Sequence, residues 1–268
     1  MTIAVDVLGI GLVGPGLADA AQGLACLREP SGWSEAPTAV GVPRCLPPTE
    51  GRRAGPVVKA ALMAAESACA DAGVDPSGLA TVFTSSTGEP GNCHALCEAL
   101  AQAERFVSPT RFTNSVHNAA AGYWHIAVRS MKPSVSLGAY DASFAAGLFE
   151  AMVQVAGSAE PVLLVATDVP YPQPLHAVRP VADTFSLAMV LAPAEAPGSA
   201  RGLGRIALAS MAAAPATGCA HAGLDAVRQA IPAARSLPLL QAIVAASAST
   251  VVVAGLDGWS LQLEVTPR

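Results

Sequence analysis

Lysine is almost missing from this chain. Its 268 residues hold Lys59 and Lys132 and no other lysine, charged residues of both signs make up only 13%, and the net charge is −5. There is no basic stripe, and Arg52-Arg53 stands as an isolated pair, so nothing tracks a phosphate backbone and nucleic acid is excluded as a partner. Long hydrophobic runs are also missing. The most apolar window, Leu237 to Leu256, is broken by Gln241, Ser247, Ser249 and Thr250 and followed by Asp257. It predicts a helix over about 238–247 and a strand over about 250–255, with no membrane span. The N-terminus has no positive segment leading into an apolar run, because Asp6 falls in the first strand, so no secretory signal is read and the expected compartment is the cytoplasm. The six cysteines are scattered and spell no disulfide framework. Cys93-His94-x-x-Cys97 lacks a second ligand pair and inverts the order of a haem-attachment motif. No metal is expected there, and the two thiols are read as buried helix cysteines.

What is present is small and apolar. Hydrophobic residues make up 52% of the chain, much of it Ala and Val, and the mean hydropathy is +0.45. That suits a close-packed α/β core, and the shortage of charge implies that part of the surface is hidden against a partner. Residues 3–10 read as a strand. Gly9-Ile-Gly11-Leu-Val-Gly14 spells the dinucleotide fingerprint, but Pro15 and Gly16 continue a loop where that motif needs a helix, and Glu29 and Glu35 lie in loop-like sequence. The expectation is a glycine-rich strand-to-helix turn and no cofactor.

Residues 30–56, rich in proline, predict a long surface excursion without helix or strand. A helix over 56–72 ends at Gly73, a strand covers 80–85, and helices are expected over 92–104 and 113–131. Further strands are expected at 134–138, 161–167 and 185–191, a linker at 192–202, a strand at 203–211, a helix at 222–234 and a hairpin over 251–265. Strands alternating with small-residue helices predict α/β layers around a buried sheet.

Pro133 to Gly147, P-S-V-S-L-G-A-Y-D-A-S-F-A-A-G, holds a strand, a sharp turn and a helix. That layout is a nucleophile elbow, which raises one residue at a helix N-terminus where backbone N–H groups favour negative charge. The turn holds Tyr140 and Asp141. It holds no cysteine and no G-x-S-x-G.

Five segments in order then resemble the β-ketoacyl synthases. V-L-G-I-G-L-V-G-P-G resembles their opening strand. S-P-T-R-F-T-N-S-V-H-N-A-A-A-G matches their asparagine and alanine-glycine helix at Asn118 and Ala120-Ala121-Gly122. P-S-V-S-L-G-A-Y-D-A-S resembles the strand and elbow that hold the family's cysteine. V-L-L-V-A-T-D resembles the next strand, and Arg179-Pro180 followed by F-S-L-A-M-V-L resembles the R-P-F-D region. An ungapped count from Pro133 puts the cysteine position at Asp141 and a family serine at Ser143, and a shift of one residue puts it at Tyr140. The histidine motifs of the family's C-terminal half are missing, since His221 alone stands late in the chain, in G-C-A-H-A-G.

The resemblance implies a thiolase-like layered α/β/α fold, truncated, with residues 1–195 as the synthase-like N-terminal region and 196–268 as a reduced segment completing the same domain. A thiolate takes an acyl chain from a thioester, and a carboxylate replaces it poorly. The expected function is therefore a non-catalytic subunit, similar to the short chain-length factors of aryl polyene clusters, without cofactor or metal. It pairs with an active ketosynthase through strand 134–138 and helix 113–131, and acyl carrier protein meets the partner. His117, Asn118, Tyr123, Ser143 and Phe144 are the expected interface or tunnel-lining residues, and Asp141 is expected to cap helix 142–156. The competing readings are a stand-alone acyl hydrolase or acyltransferase using Asp141 with a histidine such as His117, and a homodimeric acyl-binding module.

Overall fold

Ala4–Val13 is one strand, β1, and Gly9 and Gly11, two of the three glycines expected to make a turn, lie inside it, while Gly14 follows the strand and pairs with Leu17 across a turn. Gly9 and Gly11 are there for packing. A Cβ on Gly11 would stand 1.8 Å from the Ala64 carbonyl oxygen, and one on Gly9 would stand 2.4 Å from the Ala72 nitrogen. Without side chains at these positions, the helix carrying Ala64 and Ala72 lies directly on the strand. The computed structural model describes residues 3–194, 202–256 and 258–268.

After β1 come α1 (Ala20–Arg28), α2 (Pro48–Arg53), α3 (Pro56–Ala72), β2 (Ala80–Thr84), α4 (Pro90–Ala101), α5 (Pro109–Thr113) and α6 (Ala119–Val128). Next come β3 (Ser134–Leu137), α7 (Ser143–Ser158), β4 (Val162–Asp168), α8 (Leu175–Val178), β5 (Phe185–Pro193) and β6 (Gly204–Ala212). The chain then forms α9 (Ala222–Ala230), a 3₁₀ turn at Pro232–Ser236, α10 (Leu237–Val244), β7 (Ser249–Ala254) and β8 (Trp259–Pro267). As expected, α3 stops at Gly73, which takes the left-handed conformation (φ +64°) of a helix C-terminus.

Two expectations are corrected. The excursion over 30–56 contains the short helix α2, which Pro47 and Pro48 start. The helix expected over 113–131 is two helices, α5 and α6, with Asn114 to Asn118 as a non-helical joint between them. Of the linker expected at 192–202, residues 195–201 lie outside the described residues.

The strands form one sheet in the order β3-β2-β4-β5-β1-β6-β8-β7. β2 runs parallel to β3 and β4, and the remaining pairs are antiparallel. Residues after 203 thus extend the same sheet. Alternation sorts the core into two layers. On β4 and β5, Val162, Leu164, Leu187 and Met189 join the layer under α7 and α10. Leu163, Val165, Ala188 and Val190 face α3 and α6. The result is the expected α/β/α sandwich.

The two sheet edges differ. At β7, Thr217 pairs with Val252 through its backbone N–H and its hydroxyl, covering part of the strand. β3 is hydrogen-bonded to β2 on one side and, among the described residues, to no strand on the other.

Candidate functional site

β3 delivers the chain to a tight turn. The Ala142 N–H donates to the Ala139 carbonyl (2.9 Å) and the Ser143 N–H to that of Tyr140 (3.2 Å). The Ser143 hydroxyl locks the same turn, accepting from the Ala139 N–H (2.9 Å) and donating to the Tyr140 carbonyl (2.7 Å). Tyr140 has φ +51°, a left-handed conformation that costs a residue with a Cβ about a kilocalorie per mole or more. The strained apex of the elbow is therefore Tyr140. Its ring points outward, and the Arg179 guanidinium lies 3.7 Å above the ring centre.

Asp141 does not cap α7, contrary to expectation. The capping position is Ala142, and no side chain bonds to the first turn there. The carboxylate instead faces two cations: Oδ1 accepts from Arg179 Nη2 (2.8 Å) and Oδ2 from Arg235 Nη2 (2.9 Å). With both oxygens bound to guanidinium groups, the carboxylate is held away from the first turn of α7. Arg179 follows α8 and also donates to the Ser86 hydroxyl (2.7 Å), and Arg235 comes from the 232–236 turn. Three segments far apart in the sequence are thus tied to the elbow.

Beneath the elbow lies a second carboxylate, Asp168, at the end of β4 and 1% exposed. Its Oδ1 accepts from the Ser86 N–H (2.7 Å), the Thr87 N–H (2.9 Å) and the hydroxyls of Ser85 and Thr87 (3.1 and 3.2 Å). Its Oδ2 accepts from the Ala233 N–H (2.8 Å). Burial pushes its pKa up to about 6, against hydrogen bonds that lower it. Because Ala233 shares a turn with Arg235, Asp168 holds the segment that brings Arg235 to Asp141. Sequence reasoning noticed V-L-L-V-A-T-D and Arg179-Pro180 but missed these roles, and no local pattern singles out Arg235.

The histidines are not brought to Asp141. His117 is exposed, with Nε2 3.3 Å from the Ser85 carbonyl. Asn118 is exposed beside it, ahead of α6. Tyr123 is half-buried and its hydroxyl donates to Asn114 Oδ1 (3.3 Å). Ser143 and Phe144 are buried in this chain's own interior, Phe144 within the layer under α7. His94 pairs with Glu98 (3.2 Å), and His221 accepts from Leu224 N at the start of α9 (3.4 Å). Cys93 and Cys97, expected to be buried, are exposed, because α4 lies on the outside of the fold and its only buried residue is Pro90. Among the described residues no cluster of His, Cys, Asp or Glu could hold a metal ion.

Exposed apolar side chains stand on the segments next to β3: Ile126 on α6 is 79% exposed and Met131, just before β3, is 98% exposed, and Val116 ahead of α6 is exposed as well. Two hollows flank α6. One of about 500 Å³ is lined by Leu46, Val116, Tyr123 and Ile126 among others. The other, of about 440 Å³, is lined by His117, Asn118, His125, Ser134 and Ser136 among others.

A family model for the β-ketoacyl synthase N-terminal domain matches residues 27–260. The chain belongs to the β-ketoacyl synthase family. Solved structures share its fold. The chain is similar to one in the ketosynthase ApeO complexed with its chain length factor ApeC from Xenorhabdus doucetiae (TM-score 0.73, 22% identity, 98% of this chain and 99% of that one). It is also similar to one in the ishigamide ketosynthase/chain length factor (TM-score 0.71, 14% identity, 98% and 99%). A third is in the AntDE:AntF structure of a type II polyketide synthase acyl carrier protein with its ketosynthase (TM-score 0.71, 12% identity, 100% of both). These likenesses make the fold thiolase-like. No curated protein matches the chain significantly. The elbow carries a tyrosine at its apex and, beside it, a carboxylate held by two arginines. Among the described residues no helix is long and apolar enough to cross a membrane.

Proposed function

We propose that this chain is a non-catalytic, chain-length-factor-type subunit that pairs with a cysteine-bearing ketosynthase. The observation that carries this reading is the elbow itself. Neither Tyr140 nor Asp141 supplies a thiolate, and both Asp141 oxygens are engaged by Arg179 and Arg235. A carboxylate with both oxygens so engaged is poorly placed to attack an acyl carbon, and no histidine among the described residues hydrogen-bonds it to form an acyl-transfer pair. Stand-alone hydrolysis through Asp141 and His117 thus has no geometric support.

The pairing face in this proposal is β3 with α6. β3 offers an open hydrogen-bonding edge, and Ile126, Met131 and Val116 supply exposed apolar area on the neighbouring segments. Sheet-to-sheet pairing across β3 satisfies the edge and buries these side chains together. His117, Asn118 and Tyr123 line the adjoining hollows and form, in this reading, part of the wall that limits acyl-chain length. Ser143 and Phe144 support the elbow from within. The partner supplies the cysteine and histidines and receives the acyl carrier protein, in the cytoplasm, for polyene synthesis of the aryl polyene kind. The solved complexes named above join a ketosynthase to a chain length factor, which supports the assignment. The test is co-expression with the ketosynthase of the same gene cluster. Co-elution as one heterodimer is expected, and separate elution as two unassociated proteins contradicts the proposal.

A further inference from the structure

Arg52-Arg53 is not the isolated pair that the sequence implied. The fold brings Arg111 of α5 to the same place, so that three arginines line one hollow of about 420 Å³ between α2, α3, α4 and α5. Two asparagines tie it together. Asn92 of α4 donates its amide to the Arg111 carbonyl (2.6 Å), and Asn114 donates its amide to the Arg53 carbonyl (3.3 Å). The arginine backbones are thus fastened across the opening from both sides. Arg53 makes one exposed pair with Glu50 (3.3 Å), while Arg52 and Arg111 have no ion pair among the described residues. In a chain of net charge −5, two unpaired guanidinium groups facing one hollow are a marked concentration of positive charge.

The other lining groups define the ligand further. Ser108 and Thr110 add polar groups at the rim, and Pro56 and Val58 form an apolar wall. Glu89 is, among the described residues, the one acid lining the hollow. Its Oε2 is buried with no hydrogen-bond partner. An anion with several oxygens matches the arginine forks, and the volume and apolar wall leave room for an organic group attached to it.

We infer that this hollow binds a phosphate ester, with Arg52 and Arg111 gripping the phosphoryl oxygens and the organic part lying against Pro56 and Val58. This goes beyond the pairing role and does not depend on it.

The experiment is calorimetric titration of the full chain, alone or in whatever complex it is purified, with phenyl phosphate, inorganic phosphate and potassium chloride at matched ionic strength. Saturable binding is expected for phenyl phosphate, weaker binding for inorganic phosphate and none for chloride. The double variant Arg52→Ala/Arg111→Ala should lose at least tenfold in affinity. Both side chains are exposed, so its melting temperature without ligand should equal that of the parent. Arg28→Ala, outside the hollow, should bind as the parent does. Equal heats from chloride, tighter binding of inorganic phosphate than of the ester, or unchanged affinity in a folded double variant would each overturn the inference.

Discussion

Asp141 ties the elbow to two distant segments of the chain through Arg179 and Arg235. Its carboxylate neutralises two guanidinium groups that would otherwise face each other at the elbow. Asp141→Ala should therefore lower stability in urea denaturation by about 1 kcal/mol, a modest value because the pair is partly solvent-screened. The activity of a co-purified ketosynthase should change little. Loss of all product formation with stability intact would instead point to chemistry at Asp141.

Glu89 supplies a second residue-scale test. Burial raises its pKa from 4.5 to about 7, against hydrogen bonds from Val57 and Val58 that lower it. The folded state thus holds a proton more tightly than the unfolded state between those values, and stability falls as pH rises through that window, by about 3 kcal/mol at most. Glu89→Gln should flatten this dependence. It should stabilise the chain at pH 8 and give no gain near pH 4.5, as chemical denaturation at several pH values will show.

At the scale of elements, α6 and β3 carry the proposed interface. Ile126→Glu places a charge on an exposed helix position, so the isolated chain should keep its melting temperature and circular dichroism. The same variant should weaken pairing with the ketosynthase by more than tenfold, measured by co-purification or light scattering. The central strands were legible in sequence because β4 and β5, buried on both faces, carry the apolar runs V-L-L-V-A and L-A-M-V-L-A. The gap between α5 and α6 was not, because no proline or glycine marks Asn114 to Asn118. β1 was read too short, because its glycines answer to α3, whose approach is a long-range fact. The elbow was visible as strand, turn and helix. Its clamp was not, since Arg179 and Arg235 lie 38 and 94 residues from Asp141. Gly11→Val should abolish soluble expression, because its side chain has to enter the α3 backbone. Recovery of a folded Gly11→Val protein would refute that packing argument.

For the whole molecule, the scarcity of charge and the bare β3 edge belong together. A sheet partly covered at β7 and open at β3, with Ile126 and Met131 exposed, is in the proposed reading the surface that meets a ketosynthase, and that partner would supply the thiolate which the elbow lacks. The most direct measurement is acyl-thioester condensation assayed on this chain alone, on its co-expressed ketosynthase alone, and on the purified pair. The account predicts no turnover by this chain, full turnover by a one-to-one pair, and loss of that turnover when the ketosynthase cysteine is replaced. Condensation or thioester hydrolysis by this chain alone, abolished by Asp141→Ala, would contradict it.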